Sequence, residues 1–357
     1  MIRIFLERFI FLFVIFFTII FPISSSAFEI LGYMYRNDSV SHLESDTIFR
    51  QDTSLKNNIK HINIVSPQAY QVDSKGMLWG TVDPMILQLA SQNHVKVMPM
   101  VTNAGFDSLQ TQVFLKDEKA QDHVISEIRN VCKKFHYAGI QIDFEHVLFL
   151  DKNDFSVFYQ KLSDDLHKNG FLISVAILPR TTDKTPTSTS GKYCLENWNG
   201  AYDYAVLGKA SDFVTLMAYD QHSSGTTPGS ACEPSWAERI IVYALNYIPP
   251  AKISLGVPVH SSYWYTDFRK RSKHVEEADL TYAQTDYLMK KYHAPFVWDK
   301  KSDVPYAIYN NNNFNNYIFP QNVATFKILL DMAKKYHLRG ISIWCLGYED
   351  PKIWSLL

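Results

Sequence analysis

A chain of 357 residues with 46% hydrophobic and 14% aromatic side chains can bury a sizeable core, which excludes an intrinsically disordered protein. Lys and Arg number 35 against 36 Asp and Glu, with no basic block, so no nucleic acid held by phosphate neutralisation is expected. The length fits two ordinary domains or one α/β barrel carrying an insertion.

The chain begins with Arg3 and Arg8, an apolar run from Phe9 to Ile20 broken only by Thr18, then Pro22 and Ser24-Ser25-Ser26-Ala27. A basic start, a short apolar centre and small residues at the cut predict a secretory signal peptide over 1–27. The run is shorter than the roughly 20 residues of a spanning helix, so an uncleaved anchor is the alternative reading and no stable membrane span is expected after cleavage. Export would put residues 28–357 outside the cytoplasm, secreted or periplasmic, where cysteines can oxidise. Cys132 and Cys345 fall in helical and strand patterns and read as buried thiols. Cys194 and Cys232 lie in polar stretches and form the candidate disulfide, one of three pairings that four cysteines permit.

From Phe28 onward, short β-branched runs alternate with segments of helical period, as in repeated βα units. Strands are predicted over 30–35, 62–66, 95–102, 139–144, 172–178, 213–219, 253–259 and 340–345. Helices are predicted over 83–93, 122–135, 154–168, 235–247 and 321–337; Val124, Ile128, Val131 and Phe135 show the spacing. Eight strands favour a closed (β/α)₈ TIM barrel of the α/β class over an open doubly wound sheet. The stretch 261–320 after the seventh strand is too long for a βα loop of about 2–6 residues. A small β-containing insertion is expected there, with strands near Val297-Trp298 and 305–309 and a turn over the Asn-rich 310–316.

The fourth strand reads Tyr137-Ala138-Gly139-Ile140-Gln141-Ile142-Asp143-Phe144-Glu145. Period-two alternation puts Gln141, Asp143 and Glu145 on one face and Ile140, Ile142 and Phe144 on the face covered by helices. The polar row must face the barrel axis, where unpaired polar groups cost several kcal/mol, and it runs toward the C-terminal end that carries barrel active sites. Further on, Met217-Ala218-Tyr219-Asp220 ends the sixth strand and Trp344 lies on the eighth.

These segments resemble glycoside hydrolase family 18, the chitinase-like (β/α)₈ enzymes, whose fourth strand bears Asp-Gly-x-Asp-x-Asp-x-Glu. Ala138 and Gln141 replace the first two acidic positions, while Asp143 and Glu145 match the last two. Met217-Ala218-Tyr219-Asp220 is similar to the family's Met-x-Tyr-Asp, and Trp344 to the Trp beneath the sugar. Pro249-Pro250-Ala251-Lys252-Ile253 and Gly347-Tyr348-Glu349-Asp350-Pro351 resemble the branch of spore-cortex and cell-wall lytic N-acetylglucosaminidases.

The resemblance covers nearly all of 28–357. It implies a glycosidase that cleaves β-linked N-acetylglucosamine glycans with retention, the substrate's acetamide oxygen acting as nucleophile. Glu145 would be the acid, Asp143 would orient the acetamide, Tyr219 would bond its oxygen, Asp220 would bind the sugar and Trp344 would stack beneath it. Gln141 is expected to donate a hydrogen bond to Asp143 and favour its charged form.

Several neighbours have two readings. Met217 reads as pocket wall, Tyr33 as a substrate contact on the first strand, and Asp220 equally as a helix cap. Tyr263-Trp264-Tyr265 is either a sugar-stacking shelf, with Trp264 at its centre, or core of the insertion. Gln68, Tyr70 and Asn103 are placed to line the mouth; His146 and His260 read as structural. No cofactor and no metal is expected, because no Cys/His spacing or nucleotide-binding loop is present. The resemblance implies an N-acetylglucosamine-containing polysaccharide as partner, and a monomer is expected. A chitinase-like lectin that binds without cutting is the alternative function, and retention of Glu145 favours the enzyme.

Overall fold

The computed structural model describes residues 28–35, 44–223, 226–267, 275–311 and 314–357. The expected signal peptide over 1–27 lies outside the described residues. Eight parallel strands form the centre: β1 (Glu29–Tyr35), β2 (Ile64–Val72), β3 (Met100–Asn103), β4 (Gly139–Asp143), β5 (Leu172–Ile177), β6 (Phe213–Leu216), β7 (Ile253–Pro258) and β8 (Gly340–Trp344). Each pairs with the next, and β8 pairs back onto β1, closing the cylinder. The fold is the expected (β/α)₈ TIM barrel; with no free edge, the open sheet is ruled out.

Around it run α1 (Glu44–Asn58), α2 (Pro84–Gln92), α3 (Glu118–Phe135), α4 (Lys152–Lys168), α5 (Tyr204–Ala210), α6 (Pro234–Ala244) and α7 (Val323–Lys335). The 3₁₀ turn Pro351–Leu356 follows β8. Helix α3 shows why such segments are helical. Asp117 caps it by accepting from the Lys119 and Ala120 amides, Glu118 and Lys133-Lys134 complement its dipole, and Val124, Ile125, Ile128 and Cys132 bury one face. Helices α1 and α5 escape a periodicity reading. Helix α1 carries only Ile48, Phe49 and Leu55 as large apolar residues among fifteen, and α5 has seven residues in all.

Two strands depart from expectation. β2 continues past Ser66 to Val72 and folds back as an antiparallel hairpin through Leu78–Gly80. The stretch expected as one strand over 95–102 is split into Lys96–Val97 and β3, with Pro99, which lacks an N–H, between them. The core has two layers. Ile140, Ile142, Val175, Val214, Leu255 and Ile343 face the helices, while Leu31, Tyr33, Ile64, Met100 and Phe213 fill the lower cylinder.

The insertion keeps the expected bounds but holds more secondary structure than predicted. Five antiparallel strands (Ser261–Asp267, Val275–Leu280, Val297–Asp299, Val304–Asn311 and Phe314–Phe319) accompany the helix Tyr282–Lys291. The Asn-rich stretch is not all turn: Asn310 pairs with Asn315 and Tyr309 with Asn316, so the strands run to the hairpin tip. All four cysteines are free, which corrects the Cys194–Cys232 expectation. Cys232 is buried with its thiol toward the Glu233 carbonyl, whereas Cys194 is exposed on the separate helix Thr189–Cys194. Among the described residues no helix is long and apolar enough to cross a membrane.

Candidate active site

Strand β4 delivers two carboxyl groups to the C-terminal mouth of the cylinder. Asp143, its last residue, points inward and is 2% exposed; its Oδ1 has no hydrogen-bond partner. Burial pushes the Asp143 pKa well up, and the nearby Glu145 carboxylate pushes it further. Glu145 is raised to about 7, by burial first and by the charge of Asp220 second. Two acids raised together hold protons at a pH where ordinary carboxylates have lost them.

Glu145 lies beyond the last ladder bond of β4, so its backbone needs other partners. Asn103, 3% exposed at the end of β3, supplies them. Its Oδ1 accepts from the Glu145 N–H at 3.0 Å and its Nδ2 donates to the Glu145 carbonyl at 2.9 Å and to Thr111 Oγ1 at 2.8 Å. The Tyr202 hydroxyl donates to the Phe144 carbonyl at 2.7 Å. Asn103 therefore faces protein rather than solvent, a correction to its placement as a mouth residue and substrate contact. Its signal was invisible in sequence because the partner stands 42 residues away.

Gln141 and Tyr33 are also corrected. Both are fully buried in the interior below Asp143. The Tyr33 hydroxyl donates to Gln141 Oε1 at 2.6 Å, and Gln141 Nε2 donates to Ser174 Oγ at 3.0 Å and Thr215 Oγ1 at 3.2 Å. Thr215 and Ser254 each bond Ser342, at 3.1 and 2.7 Å. This belt joins β1, β4, β5, β6, β7 and β8. With its amide so occupied, Gln141 makes no hydrogen bond to Asp143, and neither it nor Tyr33 is exposed to a substrate.

Above the belt, Tyr219 stacks on Trp344 with ring centroids 5.9 Å apart and planes 16° from parallel. Tyr33 meets Trp344 edge-on at 5.5 Å, while Met217 and Ala176 pack beside the Tyr219–Trp344 pair. Burial raises the Tyr219 hydroxyl far above the usual phenol range, with Tyr33, Asp143, Asp220 and Glu145 adding to the effect, so it stays a neutral donor facing those acids. Gly256 on β7 makes room for the ring: a Cβ there would lie 2.9 Å from Tyr219 Cε1 and 2.5 Å from the Leu216 carbonyl. Asp220 follows with a positive φ of 59° and an exposed carboxylate, and caps no helix. His260, read as structural, sits 2% exposed with Nε2 at 3.6 Å from Asp220 and 3.7 Å from Asp279.

Other expected mouth residues separate. Gln68 is half-buried at the rim, paired opposite Tyr35. Tyr70 is turned away: a register irregularity between Gln68 and Tyr70 sends its ring into the helix layer, where its hydroxyl meets that of Tyr137 at 3.0 Å. Trp264 is fully buried and donates its Nε1–H to the Gly229 carbonyl of the barrel loop after β6 at 3.0 Å, so it packs where the insertion meets the barrel and is no sugar shelf. Its neighbours Tyr263 and Tyr265 stack on each other at 5.4 Å. His146 turns away from the site and packs on Trp198 with centroids 4.2 Å apart.

A barrel whose C-terminal mouth holds paired, proton-retaining carboxyls above an aromatic floor has the layout of a glycosidase. Residues 29–349 match the profile of Glycosyl hydrolases family 18, and the chain belongs to that family. The glycosylase YvbX of Bacillus subtilis is 24% identical over 303 residues, 83% of this chain and 84% of that protein. The cortical fragment-lytic enzyme of the same organism is 24% identical over 81% of this chain and 65% of its own length. The chain thus spans somewhat under two thirds of that relative. Among solved structures, the Bacillus megaterium spore cortex-lytic enzyme SleL superposes with a TM-score of 0.78 at 21% identity, covering 92% of this chain and 73% of that one. A Chromobacterium violaceum chitinase gives 0.76 at 22% identity over 92% of this chain and 97% of its own.

Proposed function

We propose that this glycosidase cleaves β-linked N-acetylglucosamine glycans by the substrate-assisted, retaining route, acting on wall-derived peptidoglycan chains ahead of chitin. The observation that carries the reading is the orphaned Oδ1 of Asp143 beside a Glu145 whose proton is held to about pH 7. A buried acceptor with no protein partner suits a substrate N–H, here that of the acetamide.

In this reading the acetamide oxygen forms a bond to the anomeric carbon as the glycosidic C–O bond breaks, and Glu145 gives its proton to the departing oxygen. Asp143 accepts the acetamide N–H through its unpaired Oδ1, which orients the group and turns a carboxyl oxygen toward the positive charge growing on it. Tyr219 donates to the acetamide oxygen, Asp220 binds the sugar and Trp344 stacks beneath the ring. Water then attacks the anomeric carbon as the bond to the acetamide oxygen breaks, which restores the acetamide, and the proton water gives up goes to Glu145. The preference for wall chains follows the cortex-lytic relatives, and residues 1–27 are read as the leader that takes the enzyme outside the cytoplasm to them.

Mass spectrometry of products from purified peptidoglycan and from N-acetylglucosamine oligomers, wild type against Glu145→Gln, tests this. The expected result is cleavage by wild type and a rate roughly 100- to 10,000-fold lower in the variant. Binding of oligomers by wild type without any cleavage would replace the enzyme with a lectin.

A further inference from the structure

Where β7 runs into the first insertion strand, His260 is buried between two acids from different parts of the chain. Asp220 follows β6 and faces the catalytic pair; Asp279 stands on the insertion strand Val275–Leu280, paired across from Ser262. Both carboxylates approach the same nitrogen, Nε2, at 3.6 and 3.7 Å, while the imidazole is 2% exposed and the carboxylates are more than half exposed. A neutral imidazole offers that nitrogen at most one proton and no charge, whereas an imidazolium satisfies two acids at once.

We propose that His260 is a positioning residue, a buried cation that fixes Asp220 at the sugar site and ties the insertion to the barrel through Asp279. The role of Asp220 rests on the glycosidase reading above; the doubly paired cation does not.

The surroundings agree. Burial alone would pull the His260 pKa down, but Asp279, Asp220 and the Trp344 backbone together outweigh it and hold the imidazole at about 9. The other titratable groups facing Asp279 carry no charge at neutral pH: burial pushes the Cys345 thiol far up and the Tyr348 hydroxyl to about 12. Because the negative charge of Asp220 raises Glu145, the cation beside Asp220 moderates that effect. Removing it moves the Glu145 proton loss to higher pH. His260 gains protons on folding, so its stabilising contribution is complete below about 6.5 and fades as pH rises through about 9.

Two measurements on the full chain test the proposal. NMR titration of isotope-labelled histidine should show one imidazole ionising near 9 in wild type, and at lower pH in Asp220→Asn and in Asp279→Asn. This readout needs no substrate and stands if hydrolysis proves absent. In activity assays on N-acetylglucosamine oligomers, His260→Gln should raise KM about tenfold with a smaller change in kcat, and shift the alkaline limb of kcat/KM upward by roughly half a unit to one unit. A His260 that titrates at or below about 6.5 overturns the proposal, as does one indifferent to both Asp substitutions. A His260→Gln enzyme with unchanged KM and pH limb removes its positioning role.

Discussion

The interior of this barrel contains two polar zones one layer apart, and they behave in opposite ways. In the lower zone, Tyr33, Gln141, Ser174, Thr215, Ser254 and Ser342 bond one another round the cylinder. In the upper zone Asp143 leaves an oxygen unpaired, and both carboxyls are raised by burial first and then by a neighbouring negative charge, Glu145 acting on Asp143 and Asp220 on Glu145. A saturated network stabilises and specifies a core; an unsaturated one stores a requirement that a ligand can meet. Polar residues on one strand face, two positions apart, therefore divide into architecture and chemistry according to whether the protein itself completes their hydrogen bonds.

The sharpest break between the zones comes from the carboxyls. Glu145→Gln should abolish most turnover while stabilising the fold near neutral pH by roughly 1–3 kcal/mol. The sign follows from the raised pKa: the folded state holds a proton that the unfolded chain releases, so wild-type stability falls as pH climbs from about 4.5 to about 7. Thermal unfolding at pH 5 and pH 8 checks it, with the two proteins converging at the lower pH. Next in size is Asn103→Ala, which frees the Glu145 backbone. We expect kcat to fall by about 10- to 100-fold with KM little changed, measured by steady-state kinetics on a protein whose melting temperature is recorded alongside.

In the lower zone the effect should move from rate to stability. Gln141→Leu removes the acceptor of the Tyr33 hydroxyl and the donor to Ser174 and Thr215, of which Thr215 keeps Ser342, at roughly 1–3 kcal/mol in denaturant unfolding, while the folded fraction keeps its alkaline pH limb. The smallest effect is expected from Trp264→Phe, which loses one bond to the Gly229 carbonyl: roughly 0.5–1.5 kcal/mol of stability and no change in KM.

The division was half legible in the sequence. Strict alternation along β4 places Gln141 and Asp143 inward and Ile140 and Ile142 outward, and the structure agrees. What alternation cannot give is the partner. Gln141 turned to Tyr33, 108 positions away, rather than to Asp143 two positions along, because side chains on one strand face are neighbours while those across the cylinder meet tip to tip. Alternation also fails where the ladder slips: the irregularity between Gln68 and Tyr70 reversed the side on which Tyr70 lies. Alternation cannot choose between the two readings of Trp264 or find the acids around His260 for a related reason, since both depend on how the insertion sits on the barrel, a long-range arrangement with no local period. The short helices were missed where their apolar face spans too few residues to show one.

The contrast between the zones requires above all that Glu145 keep a usable proton at neutral pH. The pH dependence of kcat/KM for wild-type hydrolysis of N-acetylglucosamine oligomers reads it directly. Activity should be sustained through pH 6 and lost along a single alkaline limb centred near 7, where Glu145 ionises. A limb near the ordinary carboxylate range of about 4–5, or a rate flat to about pH 9, would contradict it.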